Sequence, residues 1–156
     1  MGDAAQRAAS MLAEQGILMS RWARQPLEDP PDVPRDLTVK RDSELMTLFR
    51  RVNDWVKYLG LQLSAAQVDE RHDAAQVVRI EALEGYDFRR IDAKTRAYND
   101  QKYLAAKDKA EGSHGYRKMV EALHGNVETD AFYLSREITR RGNGGARDGR
   151  ANRGAN

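Results

Sequence analysis

Apolar residues recur at three- and four-residue steps along two long stretches of the chain, which is the spacing of one face of an α-helix. The first stretch runs from residue 42 to 84, and its apolar stripe is strongest over 45–63. The second runs from 95 to 141 and is strongest over 116–138. Because the two gradients have opposite order, they predict an all-α fold in which two long helices form an antiparallel, coiled-coil-like hairpin.

The ends and the pairing of the two helices follow from polar residues and glycines. Asp42 is predicted to cap the first helix, and Gly85 and Gly142 to end the two helices in a left-handed conformation. The glycines at 112 and 115 leave a break in the second helix open. A turn near residue 90 sets opposite charges face to face in the polar middle of the hairpin: Asp69, Glu70 and Asp73 against Lys107 and Lys109.

Proline and glycine content divides the chain into three parts. All four prolines lie between Pro26 and Pro34, so residues 1–36 are expected to be a flexible segment with a proline-rich linker, mobile or docked only on a partner. Residues 37–141 form the predicted hairpin, which is also the oligomerisation domain. Residues 142–156 contain mainly Gly, Asn, Ala and Arg, and we expect a disordered basic tail.

Composition excludes several classes of protein. The chain has 156 residues, of which 40% are apolar and 32% charged, and it has no cysteine, so disulfides and thiolate metal sites are excluded. No apolar run approaches the roughly 18–20 residues of a membrane span, so we expect no membrane partner and a cytoplasmic location, in a host cell if the chain is phage-encoded. No phosphate loop or nucleophile elbow is present. His72 and His114 lie near carboxylates by chance on charged helices, and we expect no catalytic residue, cofactor or metal.

Positive charge is concentrated at the hairpin turn and at the C-terminus. Net charge is only +2, but residues 140–156 carry five arginines and one aspartate, whereas residues 42–84 have a net charge of −3. Local basic patches attract phosphate backbones. The sequence therefore predicts DNA as a partner, the alternative being that the arginines only keep the protein soluble. The candidate DNA contacts are Arg89, Arg90, Lys94, Arg96, Arg136, Arg140, Arg141, Arg147, Arg150 and Arg153.

A two-helix hairpin buries only one stripe per helix and is marginally stable alone. Aromatic residues at its open end lie on more than one face, which predicts that this end packs against copies of itself. The alternative is that the N-terminal segment folds back over it. The candidate interface residues are Phe49, Trp55, Leu59, Tyr116, Val120, Leu123, Phe132 and Leu134.

Four segments resemble helical proteins of tailed phages that infect actinobacteria: Asp36–Thr38, Glu44–Phe49, Trp55–Tyr58 and Leu134–Arg141. The layout is similar to that of small terminase subunits. The resemblance implies a ring-forming oligomer without catalysis that binds phage DNA through its basic ends and regulates a large terminase subunit. No helix-turn-helix is visible, so the resemblance does not extend to site-specific recognition of packaging DNA.

A second resemblance is to UvsY-type recombination mediators, through Tyr98, Tyr103, Tyr116 and Ser135-Arg136. It implies binding of single-stranded DNA, on which tyrosines stack with bases, and the loading of a recombinase. A third hypothesis is a structural or scaffold protein without DNA binding. Loss of DNA binding on deletion of 142–156 separates the first two hypotheses from the third.

Overall fold

The protein is described by a computed structural model, which covers the backbone of residues 2–16 and 24–151 and the side chains of those residues as far as 143. This part contains four helices and no strand: α1 (Asp3–Glu14), α2 (Asp42–Glu84), α3 (Ile91–Asn99) and α4 (Gln101–Ala151). Helices α2 and α4 pack against each other as a hairpin. The predicted all-α hairpin is therefore confirmed.

Helix α2 has the predicted bounds but a different cap at its start. Gly85 has φ +65°, and the amide of Tyr86 donates to the carbonyl of Glu81 at 2.9 Å, which closes the C-terminus in a Schellman motif. At the N-terminus the Glu44 carboxylate accepts the Arg41 amide at 2.7 Å, which is one half of a capping box. The prediction that Asp42 caps α2 is wrong, because its carboxylate binds Arg141 instead.

The second half of the hairpin starts earlier than predicted and is interrupted once. α3 begins at Ile91, and Asp100 separates it from α4 with an extended backbone (ψ 108°). The Asp100 carboxylate accepts the Lys102 amide at 2.8 Å, so Asp100 caps α4. The Tyr86 hydroxyl donates to the same carboxylate at 2.8 Å, which raises the pKa of Tyr86 to about 12.

Helix α4 is continuous through its glycines. It passes Gly112 and Gly115 without the break that the sequence left open, and it passes Gly142 to end at Ala151. The prediction of a cap at Gly142 is wrong, because among the described glycines only Gly16 and Gly85 adopt the left-handed conformation that ends a helix. The predicted tail, 142–156, therefore overlaps α4 as far as Ala151. The backbone of residues 152–156 and the side chains beyond 143 lie outside the described part, where disorder stays a prediction.

The chain divides into two compact units, and each contains part of both long helices. The first unit comprises residues 2–16 and 60–122, and the second comprises 24–59 and 123–151. The expected separate segment 1–36 is divided between them. The first unit buries mainly small side chains, whereas the core of the second consists of Leu37, Leu45, Val52 and Leu134 with Val33, Phe49 and Ile138 packed around them.

Polar contacts in the first unit agree in part with the predicted pairing. Asp73 lies 3.1 Å from Lys109, as predicted. Asp69 does not face a lysine, because its carboxylate accepts the backbone amides of Gly2 at 2.9 Å and Ala5 at 3.0 Å and so holds the start of α1. The further pairs differ from the prediction and are Glu70 with His114 and Arg117, and Lys107 with Glu111.

We predict that Gly115→Ala stabilises the protein by about 1 kcal/mol, because Gly115 lies in an uninterrupted helix and a Cβ there meets no atom within 4 Å. Urea denaturation followed by circular dichroism measures the difference. Gly85→Ala is the matched control and should destabilise by about 1–2 kcal/mol, since an L side chain is strained at its positive φ. Destabilisation by Gly115→Ala would contradict the continuity of α4.

Candidate nucleic-acid interface

The last turns of α4 present an aromatic ring and two arginines along one face. Phe132, Arg136 and Arg140 are spaced four residues apart, so they lie one above the other on the helix surface. Phe132 is 66% exposed, and the Arg140 side chain is 65% exposed. They share this part of the α4 surface with Tyr133, Ser135, Glu137, Thr139 and Asn143. We call Phe132, Arg136 and Arg140 the basic row.

Glu137 lies beside the basic row and pairs with Arg140 but not with Arg136. Its carboxylate accepts two bonds from Arg140, at 2.8 and 2.7 Å, and one from Arg141 at 2.8 Å. These bonds lower the pKa of Glu137 to about 2. Arg140 is exposed, so it can exchange this carboxylate for a phosphate, whereas Arg136 makes no ion pair within the described part of the chain.

Arg141 is not available for DNA, and its assignment as a DNA contact is corrected. Its guanidinium donates to the carbonyls of Leu37 and Lys40, each at 2.8 Å, and to the Asp42 carboxylate at 2.8 Å. Together with Glu137 these acceptors engage all three nitrogens of the guanidinium. This role was not predictable from the sequence, because Leu37, Lys40 and Asp42 lie about a hundred residues earlier in the chain.

The basic residues of the predicted turn belong to the first unit. Arg89, Lys94 and Arg96 are exposed and make no ion pair within the described residues, whereas Arg90 lies 3.2 Å from Asp92. Arg90 is itself 69% exposed despite this pair, so the turn offers four arginine or lysine side chains to solvent. Arg147, Arg150 and Arg153 lie outside the residues whose side chains are described, and their DNA role stays a prediction.

Half of the predicted oligomer interface is buried inside the chain itself. Trp55, Leu59, Val120 and Leu134 are at most 8% exposed, so they cannot supply a free surface, and these assignments are corrected. For Trp55 and Leu134 the physical reason lies in residues 24–40, here called the arm, as in the alternative that the sequence left open. The Trp55 indole bonds the Glu28 carbonyl, and Leu134 shares a core with Leu37.

The other four predicted interface residues are half-buried or exposed. Phe49 is half-buried against the core of the second unit. Tyr116 and Leu123 are each 48% exposed, and Phe132 is also exposed. These three side chains remain candidates for contact with another copy of the chain.

The histidine and carboxylate cluster of the first unit forms a closed polar network. Asp73 is 4% exposed and accepts bonds from the Ser113 hydroxyl at 2.6 Å and from His72 at 3.1 Å, beside its ion pair with Lys109. Burial raises the pKa of Asp73, but the bonds from these three partners outweigh burial and leave the pKa below its ordinary value. Both carboxylate oxygens have protein donors, and the Ser113 partner was not predicted from the sequence.

Within the described residues, no three His, Cys, Asp or Glu side chains converge to form a group suited to a metal ion. No helix in that part has both the length and the apolar content for a bilayer span. Comparisons with protein-family models, with curated proteins and with solved structures find no match.

We predict that acid destabilises the second unit through Glu137. Because its pKa is about 2 in the folded protein against an ordinary 4.5, Glu137 contributes stability above pH 4.5 that is lost as pH falls toward 2. In urea denaturation, the free energy of unfolding of Glu137→Gln should therefore fall less steeply between pH 4.5 and 2 than that of the unmodified protein. Glu128→Gln removes the same charge from α4 away from Arg140 and Arg141, so a change that both variants share reports net charge and not the contacts of Glu137. An unchanged slope in Glu137→Gln would refute the coupling.

Proposed function

We propose that this chain is a non-catalytic, self-associating DNA-binding protein that acts as a small terminase subunit in phage genome packaging. The observation that supports this proposal is the basic row on α4. An exposed ring followed by two exposed arginines combines a stacking surface with phosphate binding on one rigid helix face. Such a surface binds the nucleic-acid backbone without selecting a base sequence, which suits a protein that handles a whole genome.

Self-association would strengthen the binding of DNA by such a surface. A single basic row offers two arginines, and each phosphate contact contributes little at physiological salt. Several copies present several rows to one DNA molecule, so binding gains from a high effective concentration. The exposed side chains of Tyr116 and Leu123 support the assembly of copies and leave Phe132 to the basic row. A large terminase subunit is the partner that the assembly would regulate.

A recombination mediator is the second candidate, and exposed aromatic residues favour it. Tyr98 is 58% exposed and Tyr133 is 42% exposed, so both rings can stack on unpaired bases. Tyr103 does not fit this role, since it is buried and its hydroxyl bonds Glu81. A preference for single strands over duplex would favour the mediator. A scaffold in which the arginines serve solubility alone would bind neither.

The double variant Arg136→Gln/Arg140→Gln tests the proposal. We expect weaker binding to a labelled duplex in fluorescence anisotropy, and a slope of log K against log salt that is smaller by about 2, because two phosphate contacts are lost. Arg50→Gln/Arg71→Gln is the control, since it removes the same charge from exposed positions of α2. Equal losses in the two variants would mean that net charge alone governs binding. No binding by the unmodified chain would favour the scaffold.

A further inference from the structure

Helix α1 has little apolar contact with the long helices of the first unit. Ala4 and Ala5 are its buried residues, and an alanine side chain removes little apolar surface from water. A partly open cavity of about 280 Å³ adjoins Ala4 and reaches Ala66 of α2 and Gly112 of α4. The position of α1 therefore depends largely on its polar contacts.

Two side chains of α2 make these polar contacts. The Asp69 carboxylate accepts the first amides of α1, as described above. One turn farther along, Nε2 of His72 lies 3.3 Å from Nη2 of Arg7 in α1. Nδ1 of the same ring lies 3.1 Å from the Asp73 carboxylate. The His72 imidazole thus lies between a guanidinium of α1 and a carboxylate of α2.

These two neighbours fix which nitrogen of His72 carries the proton. A guanidinium has donors only, so Nε2 accepts the bond from Arg7 and is unprotonated. Asp73 is ionised at neutral pH, because its hydrogen bonds hold its pKa below the ordinary value, and it accepts from Nδ1. The contact between α1 and α2 therefore requires a neutral imidazole with its proton on Nδ1.

Acid adds a proton at Nε2, which is the nitrogen that faces Arg7. Histidine side chains change charge between about pH 5 and 8. The added proton removes the acceptor for Arg7 and leaves two cations 3.3 Å apart. Asp73 still bonds Nδ1 and stabilises the imidazolium. Because Asp73 lies next to His72 on one helix and Arg7 lies on another, the contact that is lost is the one that holds α1.

The sign of the pH dependence follows from linkage. Docked α1 places a cation against His72 and so opposes the uptake of a proton, whereas released α1 leaves the imidazole beside Asp73 alone. Protonation therefore favours the released form. The stabilisation of docked α1 by this contact is present while His72 is neutral and is lost as pH falls and His72 becomes charged.

The remaining charged groups near His72 lie on all three helices. Asp3 of α1, Asp69 of α2 and Lys109 of α4 line the same cavity. Asp69 is engaged by the amides of α1, and Lys109 pairs with Asp73. Asp3 is exposed, so solvent screens its attraction for an imidazolium, whereas Arg7 is in direct contact with the ring.

The other two histidines respond to acid in the opposite direction. Nδ1 of His114 lies 2.6 Å from Glu70, and Nδ1 of His124 lies 3.3 Å from Glu128. Protonation strengthens both pairs, because each ring faces a carboxylate. Among the three histidines, His72 is the one whose protonation breaks a contact between helices.

We propose that His72 is a pH-sensitive switch that releases α1 from α2 when it takes up a proton. The long helices stay paired on release, because Ser113 and Lys109 of α4 keep their contacts with Asp73. The proposal rests on the contacts of α1 and not on DNA binding.

Hydrogen–deuterium exchange of the α1 amides tests the switch. Protection is expressed relative to an unstructured chain at each pH, which removes the intrinsic pH dependence of exchange. From about pH 7.5 to about pH 5.5 we expect the protection of α1 to fall by about tenfold, the effect of losing one hydrogen bond to a charged group. The amides of α4 near Ser113 should keep their protection. Constant protection of α1, or none at either pH, would overturn the proposal.

His72→Gln separates the switch from a general effect of acid. Glutamine can accept from Arg7 and donate to Asp73 but does not titrate, so α1 should stay protected at both pH values. His114→Gln is the matched control, since it removes another histidine of the same unit and should keep the fall.

Arg7→Ala guards against a His72 variant that fails to fold, because position 7 is exposed on α1. It removes the cation that faces the ring, so the protection of α1 should start lower and no longer depend on pH. A full fall in protection in either His72→Gln or Arg7→Ala would overturn the proposal, as would its loss in His114→Gln.

Discussion

The contacts of one guanidinium, that of Arg141, join the arm and the start of α2 to α4, which is distant from both in the sequence. Arg141 bonds two carbonyls of the arm, the Asp42 carboxylate at the start of α2 and the Glu137 carboxylate one turn earlier in α4. Loss of this fork leaves the two part-buried carbonyls of the arm short of donors, whereas Glu137 keeps its two bonds from Arg140 and the exposed Asp42 carboxylate turns to water. A lysine could not replace it, because a single ammonium cannot reproduce the planar set of five donors.

The same interaction explains why neighbouring arginines have different roles. Arg141 points toward the arm and is engaged there, whereas Arg136 and Arg140 lie on the exposed face with Phe132. Glu137 bonds both Arg141 and Arg140. This one carboxylate therefore links the stability of the second unit to the charge of the basic row. The proposed DNA surface is therefore placed on a helix whose position is fixed by a neighbouring ion-pair network, which is what a rigid binding face requires.

Sequence pattern was sufficient for the features that depend on local spacing. The opposed apolar gradients predicted the hairpin, Gly85 predicted the end of α2, and the pairing of Asp73 with Lys109 followed from the position of the turn. The cap at Asp100, the role of Arg141 and the burial of Trp55 beneath the arm were not predictable in this way. Each of these features depends on which acceptor or apolar residue a side chain contacts across the fold. Arg136, Arg140 and Arg141 are all arginines on one helix, so periodicity alone cannot tell the buried contact from the exposed ones.

The central claim, that this helical protein assembles and binds DNA, is tested most directly by its mass in solution. Light scattering of the purified chain, alone and with short duplex or single-stranded DNA, measures both properties at once. The account predicts a mass that is a multiple of 17.6 kDa and that rises when duplex is added. A species of 17.6 kDa that is unchanged by either DNA would contradict it.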